Sequence, residues 1–508
     1  VDGKVVDTYD TTFGYRWFKY DSNEGFFLNG EYVKIKGVCM HHDQGSLGSV
    51  DTRAAIERQV RILKEMGVNS IRTSHNTPSR NLVEVCQEQG ILLDEEIFDG
   101  WNQAKNGNVN DYGRFFSKAM GESELIGNDP DKTWAQYDLE QSIARDVNSP
   151  SVIMWSVGNE MVTGTTGGLA GFTPNFETVQ MNLINWVKAA DPTRPATLGD
   201  NQLLSGSWNY QPDNLANNGG IIGINYALGS RYQTVHQNNP SWILYGSETV
   251  SATNSRGVYN TMANNATNVP GQQLTSYDVS CVSWGHLASQ AWYDTVRFDY
   301  VMGEYVWTGF DYLGEPTPNN GTGAGWVNGE NSPKNSFFGI VDTAGLPKDT
   351  YYFYQSQWNK ELNTLHVLPV WSDDSNVVKK DGSGNIEVVV YTDAAGAKLV
   401  LEKADGTEVE VGAPKYFKTV TTDAGFTYQI DKDNANSDKG LYFTWSVPYQ
   451  EGTLKAVALD ADGTEVDTSD TEQWQGRQSV STYGEATQLD AEVTYNADGI
   501  SADGEDLA

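Results

Sequence analysis

The chain divides by the rhythm of its apolar residues. From Val33 to Asp311 short apolar runs alternate with segments whose apolar residues recur every three or four positions. After about Trp358 only short alternating runs remain. The most concentrated run is Ser151-Val-Ile-Met-Trp-Ser-Val-Gly-Asn-Glu160. Its apolar residues over Val152–Val157 predict a short buried strand. Hydrophobicity stops at Gly158-Asn159-Glu160, where a carboxylate appears. A parallel strand ending in an acid puts that acid on the C-terminal rim of the sheet, which in an α/β barrel is where active sites lie. A glutamate after a strand is by default a surface residue. Here the lead-in Asp146-Val-Asn-Ser-Pro150 and the polar endings of several other runs argue for more.

In chain order, Lys4–Tyr9 reads as a strand and Tyr15–Tyr20 as a second extended piece. Val33–Val38 alternates and leads into Met40-His-His-Asp43. Ala54, Ile56, Val60, Ile62, Leu63 and Met66 form a helical stripe over Asp51–Met66, with Asp51 as N-cap and Gly67 as C-cap. Strands follow at Val68–Arg72, Ile91–Phe98, Val152–Val157, Ala196–Gly199, Ile221–Tyr226, Trp242–Glu248 and Tyr305–Phe310. Helices lie between them at Ser79–Gln89, Thr133–Val147, Asn175–Ala190, Arg231–Gln237 and Leu287–Val301. Asn102–Asp131 reads as one long loop, of a length that is usually functional or mobile. Eight strands with helices between most of them predict an α/β chain built on a (β/α)8 TIM barrel. A doubly wound open sheet is the alternative, but no Gly-rich phosphate loop follows any strand. Beyond Trp358, runs at Leu365–Val370, Glu387–Thr392, Lys398–Lys403, Phe426–Asp431, Leu441–Val447 and Thr453–Asp460 predict an antiparallel β-sandwich. Asp381-Gly, Asp405-Gly and Asp462-Gly mark turns between them. Ala486–Ala508 holds one more strand, Leu489–Tyr495. The domains expected are therefore 1–28, 29–357, 358–485 and 486–508.

Composition narrows the picture. At 508 residues the chain exceeds what one core supports. A net charge of −33 argues against nucleic acid and anionic membranes as partners, although solubility is its ordinary explanation. Three cysteines, Cys39, Cys86 and Cys281, make neither a disulfide framework nor a zinc spacing. No apolar run is long enough to span a membrane, and no signal peptide is visible. Fifteen Trp and 26 Tyr suit sugar faces, but a large core uses them too.

The predicted strand ends gather His41, His42, Asp43, Arg72, His75, Asp99, Trp101, Asn159, Glu160, Asp200, Asn225, Tyr226, Glu248 and Trp307 on one rim. No nucleophile elbow and no H-E-x-x-H motif is present. Carboxylates, imidazoles, one arginine and aromatics remain. Two carboxylates flanking the bond between sugars is the chemistry that needs such a set. Glu160 and Glu248 end the fourth and seventh strands, which face one another across a barrel mouth. Competitors fare worse. Glu304 is expected at the start of its strand, near the barrel bottom. Of Glu95 and Glu96, one must point to the helices. Asp311 and Glu315 lie beyond the last strand.

Six ordered segments carry a resemblance: Gly37-Val-Cys-Met-His-His-Asp43, Ile71-Arg-Thr-Ser-His-Asn76, Asp94-Glu95, Ser156-Val-Gly-Asn-Glu160, Tyr245-Gly-Ser-Glu248 and Val306-Trp-Thr-Gly-Phe-Asp311. Together they resemble glycoside hydrolase family 2, and within it the large secreted β-galactosidases of bifidobacteria and streptococci. The resemblance implies that residues 1–28 end an immunoglobulin-like β-domain, and that an N-terminal sugar-binding domain outside this chain helps to complete the site. It implies a retaining β-galactosidase, secreted or on a bacterial cell surface, with possible transgalactosylation. Glu160 would be the acid/base and Glu248 the nucleophile. Asn159 would bind the sugar 2-OH. Arg72 would hold the nucleophile ionised, with the Tyr226 phenol beside it. His41 and His75 would contact the sugar, and Trp307 would wall it. Asp200 stands where a sugar-hydroxyl acceptor would be useful. The bland alternatives are a core or loop place for each histidine, core packing for Trp307 and a structural ion pair for Arg72.

Three expectations follow. The Glu160 and Glu248 carboxyls should lie roughly 5–5.5 Å apart, the retaining separation. Arg72 should reach Glu248. No cofactor and no metal is expected, because the position of a histidine that some relatives use with an acid to bind magnesium is Trp101 here, two residues after Asp99. The alternatives are β-glucuronidase, β-mannosidase and a non-catalytic carbohydrate-binding module. A glucuronidase should offer an Asn-x-Lys clamp, and Lys334-Asn335-Ser336 comes nearest without matching.

Overall fold

The computed structural model describes residues 4–101, 112–123, 127–161, 176–204, 210–263, 273–315, 335–485 and 488–491. Eight parallel strands close on themselves: β1 Ile35–Met40, β2 Ser70–Thr73, β3 Leu92–Glu96, β4 Val152–Asn159, β5 Ala196–Asp200, β6 Ile222–Asn225, β7 Leu244–Val250 and β8 Val301–Trp307. Each pairs with its sequence neighbours, and β8 returns to β1. Around them lie α1 Arg53–Met66, α2 Arg80–Gln89, α3 Trp134–Asp146, α4 Phe176–Ala190, α5 Tyr210–Asn217, α6 Gly229–Asn238, α7 Ala288–Val296 and α8 Asp349–Trp358.

Strand alternation builds two cores. Outward residues such as Trp155, Val157 and Val306 pack against the helices. Inward ones such as Cys39, Met154, Tyr245 and Tyr305 fill the barrel. The interior is closed at its lower end by a small sheet of Phe18–Asp21, Gly25–Leu28 and Glu31–Tyr32. Phe26 joins the inner core, and the Tyr20 hydroxyl donates to the Ile153 carbonyl at 2.5 Å. The expected division at 28/29 thus falls inside this sheet.

Local signals explain the helix ends. Gly67 ends α1 at φ 101° and Gly90 ends α2 at φ 75°, the left-handed region that favours glycine. The Ser79 side chain caps α2, and Thr52, rather than Asp51, stands before α1. The strand expected at Lys4–Tyr9 is not formed: Val5, Val6 and Tyr9 are exposed and pair with no strand among the described residues. The helix expected to run to Val301 stops at Val296. The chain turns there, and the Lys34 ammonium binds the Phe298 and Val301 carbonyls at 2.8 and 2.6 Å. The last strand therefore starts four residues earlier than expected. Glu304 sits mid-strand on the helix side, not at the barrel bottom, with Thr249 Oγ1 donating to it at 2.8 Å. Helices α5 and α8 go beyond the sequence expectation. The stretch expected as one long loop contains a 3-10 turn at Tyr112–Phe116 and a hairpin of Ala119–Ser123 with Gly127–Thr133.

The C-terminal half is sheet-rich. One sheet orders Phe443–Pro448, Asn385–Thr392, Asn363–Leu368 and Trp474–Gln475. The other orders Thr427–Asp431, Lys415–Thr421, Gly396–Glu402, Thr453–Leu459 and Ser479–Ser481. Almost all pairs are antiparallel, and Phe417 of one sheet stacks on Phe443 of the other at 4.0 Å. Gly406 and Gly463 turn at φ 80° and 86°, as the Asp-Gly pairs predict. Of the last expected strand, residues 489–491 form no strand, and the remainder lies outside the described residues, as do Lys334 and Asn175.

Candidate active site

The upper rim is built where β4, β6 and β7 end. Each turns through left-handed residues: Glu160 at φ 48°, Tyr226 at 60°, Val250 at 72° and Ser251 at 53°. Such conformations cost on the order of 1–3 kcal/mol each in non-glycine residues and cluster at functional sites.

Arg72 organises the mouth. It rises from β2, fully buried, and its two terminal nitrogens each serve one carboxylate. Nη1 donates to Glu248 Oε1 at 2.9 Å and to the Ser247 carbonyl at 3.1 Å. Nη2 donates to Glu96 Oε2 at 2.6 Å and to Asn159 Oδ1 at 3.1 Å. The buried acids around it hold its pKa well above the ordinary value, against the opposing effect of burial. Glu248 receives a second donor on its other oxygen, the Tyr226 hydroxyl at 2.8 Å. Ser251 Oγ donates in turn to Tyr226 at 3.1 Å. Burial and Glu248 push the Tyr226 phenol well above its usual pKa, so it stays a donor.

Glu160 meets a different partner. Asn225 Nδ2 donates to Glu160 Oε1 at 3.0 Å and to Asn159 Oδ1 at 3.1 Å, while Ser247 Oγ donates to Asn225 Oδ1 at 2.6 Å. One network thus runs Glu160–Asn225–Asn159–Arg72–Glu248. Gly199 leaves room for it: a Cβ there would lie 2.7 Å from Asn159 Oδ1 and 2.9 Å from Arg72 Nη2.

An aromatic wall closes one side. His75 stacks on Trp307 at 5.2 Å with the planes 10° apart. His41 meets Trp307 edge-on at 5.2 Å, and Tyr312 at 4.4 Å. Burial pushes His75 down to about 3 and lowers His41, so both rings are neutral at pH 7. Beside the wall lies a cleft of about 470 Å³ that includes His41, Asp43, Asn76 and Tyr312.

The structure therefore gathers Arg72, His41, His75, Asn159, Glu160, Tyr226, Glu248 and Trp307. Asp200 stands slightly apart. It is buried at the end of β5, and its Oδ1 accepts from the backbone N–H groups of Gln202 and Leu203 at 2.7 and 2.9 Å. His42 faces outward and lies 3.1 Å from the Ser49 carbonyl. Asp43 caps the following turn through the Gly45 N–H at 2.8 Å. Trp101 is core, its indole N–H on the Val157 carbonyl at 2.6 Å. Asp311 pairs with Lys348 at 2.8 Å. Among the described residues no three His, Cys, Asp or Glu side chains are grouped to hold a metal ion.

Sequence reasoning gives no role to four residues that the site uses. Glu96 lies 2.6 Å from His75 Nδ1 and accepts from Ser156 Oγ at 2.6 Å, besides holding Arg72. Alternation along β3 is the available signal, since an outward Glu95 requires an inward Glu96. Asn225 is legible as a rim residue but not in its role. Ser251 and Tyr312 carry no sequence signal.

Residues 21–343 match the family model described as glycosyl hydrolases family 2, TIM barrel domain. Residues 383–467 match a domain of unknown function, DUF4982. The chain is 33% identical to the β-galactosidase BoGH2A of Bacteroides ovatus over 493 residues, covering 90% of this chain and 50% of that protein. It is 31% identical over 490 residues to a Formosa agariphila protein provisionally named a β-glucuronidase, covering 90% and 39%. A crystal structure of a β-glycosidase from Bacteroides vulgatus superposes with TM-score 0.68 at 27% identity, over 96% of this chain and 54% of that one. The chain thus spans about half or less of the length of these relatives. With a matching family model over most of its length and an eight-stranded barrel to carry it, the chain belongs to glycoside hydrolase family 2.

Proposed function

We propose that this chain carries the catalytic barrel of a retaining exo-β-galactosidase, which releases terminal β-galactose from substrates such as lactose. The observation that carries the reading is the asymmetry of the two carboxylates. Glu248 takes a guanidinium on one oxygen and a phenol on the other, at 2.9 and 2.8 Å. Glu160 takes the neutral amide of Asn225. Two donors, one of them a cation, hold both oxygens of Glu248 in place as a nucleophile requires, whereas Asn225 orients Glu160 through an amide, as suits a group that passes a proton to and from substrate oxygen. Glu160 then protonates the departing oxygen while Glu248 attacks the anomeric carbon. Water, activated by the same Glu160, frees the sugar from the galactosyl-enzyme. A sugar hydroxyl in place of water gives transgalactosylation. Asn159, His41, His75 and Trp307 are the proposed sugar contacts, with a smaller part for Asp200. Domains of the same polypeptide outside this chain are proposed to complete the site.

Galactose is favoured over glucuronic acid by two features. The sequence contains no Asn-x-Lys, and Arg72, the guanidinium of the mouth, is already held by Glu96 and Glu248. Aryl β-galactoside, β-glucuronide and β-mannoside assayed side by side decide it, and dominant turnover of either rival sinks the galactosidase reading. The roles have their own test. A good leaving group departs without protonation, so Glu160→Gln should impair lactose far more than the first step on a nitrophenyl galactoside. Azide should then yield the β-galactosyl azide. Glu248→Gly should be inactive on both substrates, with azide yielding the α-azide. The reverse pair of anomers would mean that acid and nucleophile are exchanged.

A further inference from the structure

We infer that Glu96 is the positioning residue that fixes the tautomer of His75, so that His75 turns a bare Nε2, a hydrogen-bond acceptor, towards Asn159 and Glu248 at the barrel mouth. The inference rests on the glycosidase reading only for what occupies that mouth.

The argument begins with the carboxylate. Glu96 is fully buried, and its Oε2 takes Arg72 Nη2 and Ser156 Oγ, each at 2.6 Å. The guanidinium keeps this carboxylate ionised, and an ionised carboxylate only accepts. Its Oε1 lies 2.6 Å from His75 Nδ1, so the proton in that contact belongs to Nδ1. Burial keeps the ring neutral, and a neutral imidazole carries a single N–H. Nε2 is therefore bare.

The other side of the ring can be weighed against this. Asn159 Oδ1 is held by Arg72 Nη2 and Asn225 Nδ2, both at 3.1 Å, which turns the Asn159 amide nitrogen towards His75 Nε2 at 3.5 Å. That contact wants an acceptor on the ring. Glu248 Oε1, 3.7 Å from Nε2, would prefer a donor. The Glu96 contact is shorter by about 1 Å and so decides the tautomer, because charge-assisted hydrogen bonds weaken steeply beyond their optimum. Trp307, stacked on the ring, fixes its plane. A sugar hydroxyl that reaches Nε2 must then donate to it.

Glu96→Gln keeps the shape and reverses the logic. The amide oxygen is needed by Arg72 and Ser156, so the amide N–H₂ turns to Nδ1. The ring proton then moves to Nε2 and points at the nucleophile. The chain has six histidines, few enough to resolve by selective ¹⁵N labelling. His75 is assigned from the signal lost in His75→Gln, and long-range nitrogen–proton couplings separate Nδ1 from Nε2. At pH 7 the native protein should show Nδ1–H, and Glu96→Gln should show Nε2–H. Its kcat/KM on aryl galactoside should fall about 10–100-fold, the scale for losing a partner that orients a histidine. Nε2–H or an imidazolium in the native protein overturns the inference, as does a tautomer that Glu96→Gln leaves unchanged. If Glu96→Gln does not fold, the native spectrum alone decides. A native protein with Nδ1–H that turns over the aryl β-glucuronide or β-mannoside in place of the galactoside would remove the proposed function and leave the tautomer assignment standing.

Discussion

Glu304 is a fully buried carboxyl on the helix side of β8, with one hydrogen bond, from Thr249 Oγ1 at 2.8 Å. Burial, assisted by Asp294, raises its pKa from 4.5 to about 8. A group whose folded pKa lies above its unfolded value stabilises the fold fully below the unfolded value, and loses that stabilisation as pH rises through the folded one. A tenfold difference in proton affinity between the folded and unfolded chains corresponds to about 1.4 kcal/mol. Between pH 5 and pH 8 Glu304 alone should therefore cost the folded protein about 3 kcal/mol. Glu304→Gln keeps the Thr249 contact and cannot ionise, so its stability relative to the native chain should rise by that amount from pH 5 to pH 8. Other buried acids, such as Asp94, raised to about 7, and Asp311, raised to about 6, tilt both proteins alike and cancel. Urea unfolding followed by tryptophan fluorescence at pH 5, 6, 7 and 8 gives the difference directly. A difference flat in pH would refute the reasoning, whatever its absolute value. Because Glu304 faces the helices, kcat/KM should stay within about twofold; a large loss would return it to the list of candidate acids.

Other expectations test the mouth itself. Tyr226→Phe removes a hydrogen bond to a carboxylate oxygen of Glu248, worth about 1.5–3 kcal/mol, so kcat/KM should fall about 10–100-fold; a change below twofold would separate Tyr226 from the proposed nucleophile. Gly199→Ala places a methyl group 2.7 Å from Asn159 Oδ1 and 2.9 Å from both Arg72 Nη2 and Asn225 Oδ1. An overpacking cost of about 1–3 kcal/mol, spent on the proposed catalytic network, should lower kcat/KM about 5–150-fold with the circular dichroism spectrum unchanged. Chelation should leave activity intact, and activity lost to chelator and restored by magnesium would overturn the expectation that no metal is used. A crystal structure with a bound galactoside analogue should put the Glu160 and Glu248 carboxyls about 5–5.5 Å apart; 8 Å or more with water between them would point to inversion.

The sequence by itself determined the barrel and most of what stands on its rim. The ending of β4 is legible because hydrophobicity stops abruptly before Glu160, and a parallel strand sends its last side chain to a known end of the sheet; the strand expected to end at Glu248 runs on to Val250, which leaves Glu248 near the same end. Helix ends are legible at Gly67, Gly90 and Ser79 because one residue's backbone or side chain settles each. Tertiary structure decided the rest. Lys4–Tyr9 alternates like a strand, yet a strand needs a neighbour to pair with, and sequence does not say whether one is present. The helical rhythm of Leu287–Val296 runs on to Val301, but the strand begins there and carries Met302 and Tyr305 into the inner core. Above all, the partition of Arg72 between Glu96 and Glu248, and of Asn225 between Asn159 and Glu160, joins residues 24 to 176 positions apart. Such pairings depend on barrel closure and on distances near 3 Å, which periodicity cannot encode. Periodicity can say that a side chain points inward, but it cannot say what meets it there.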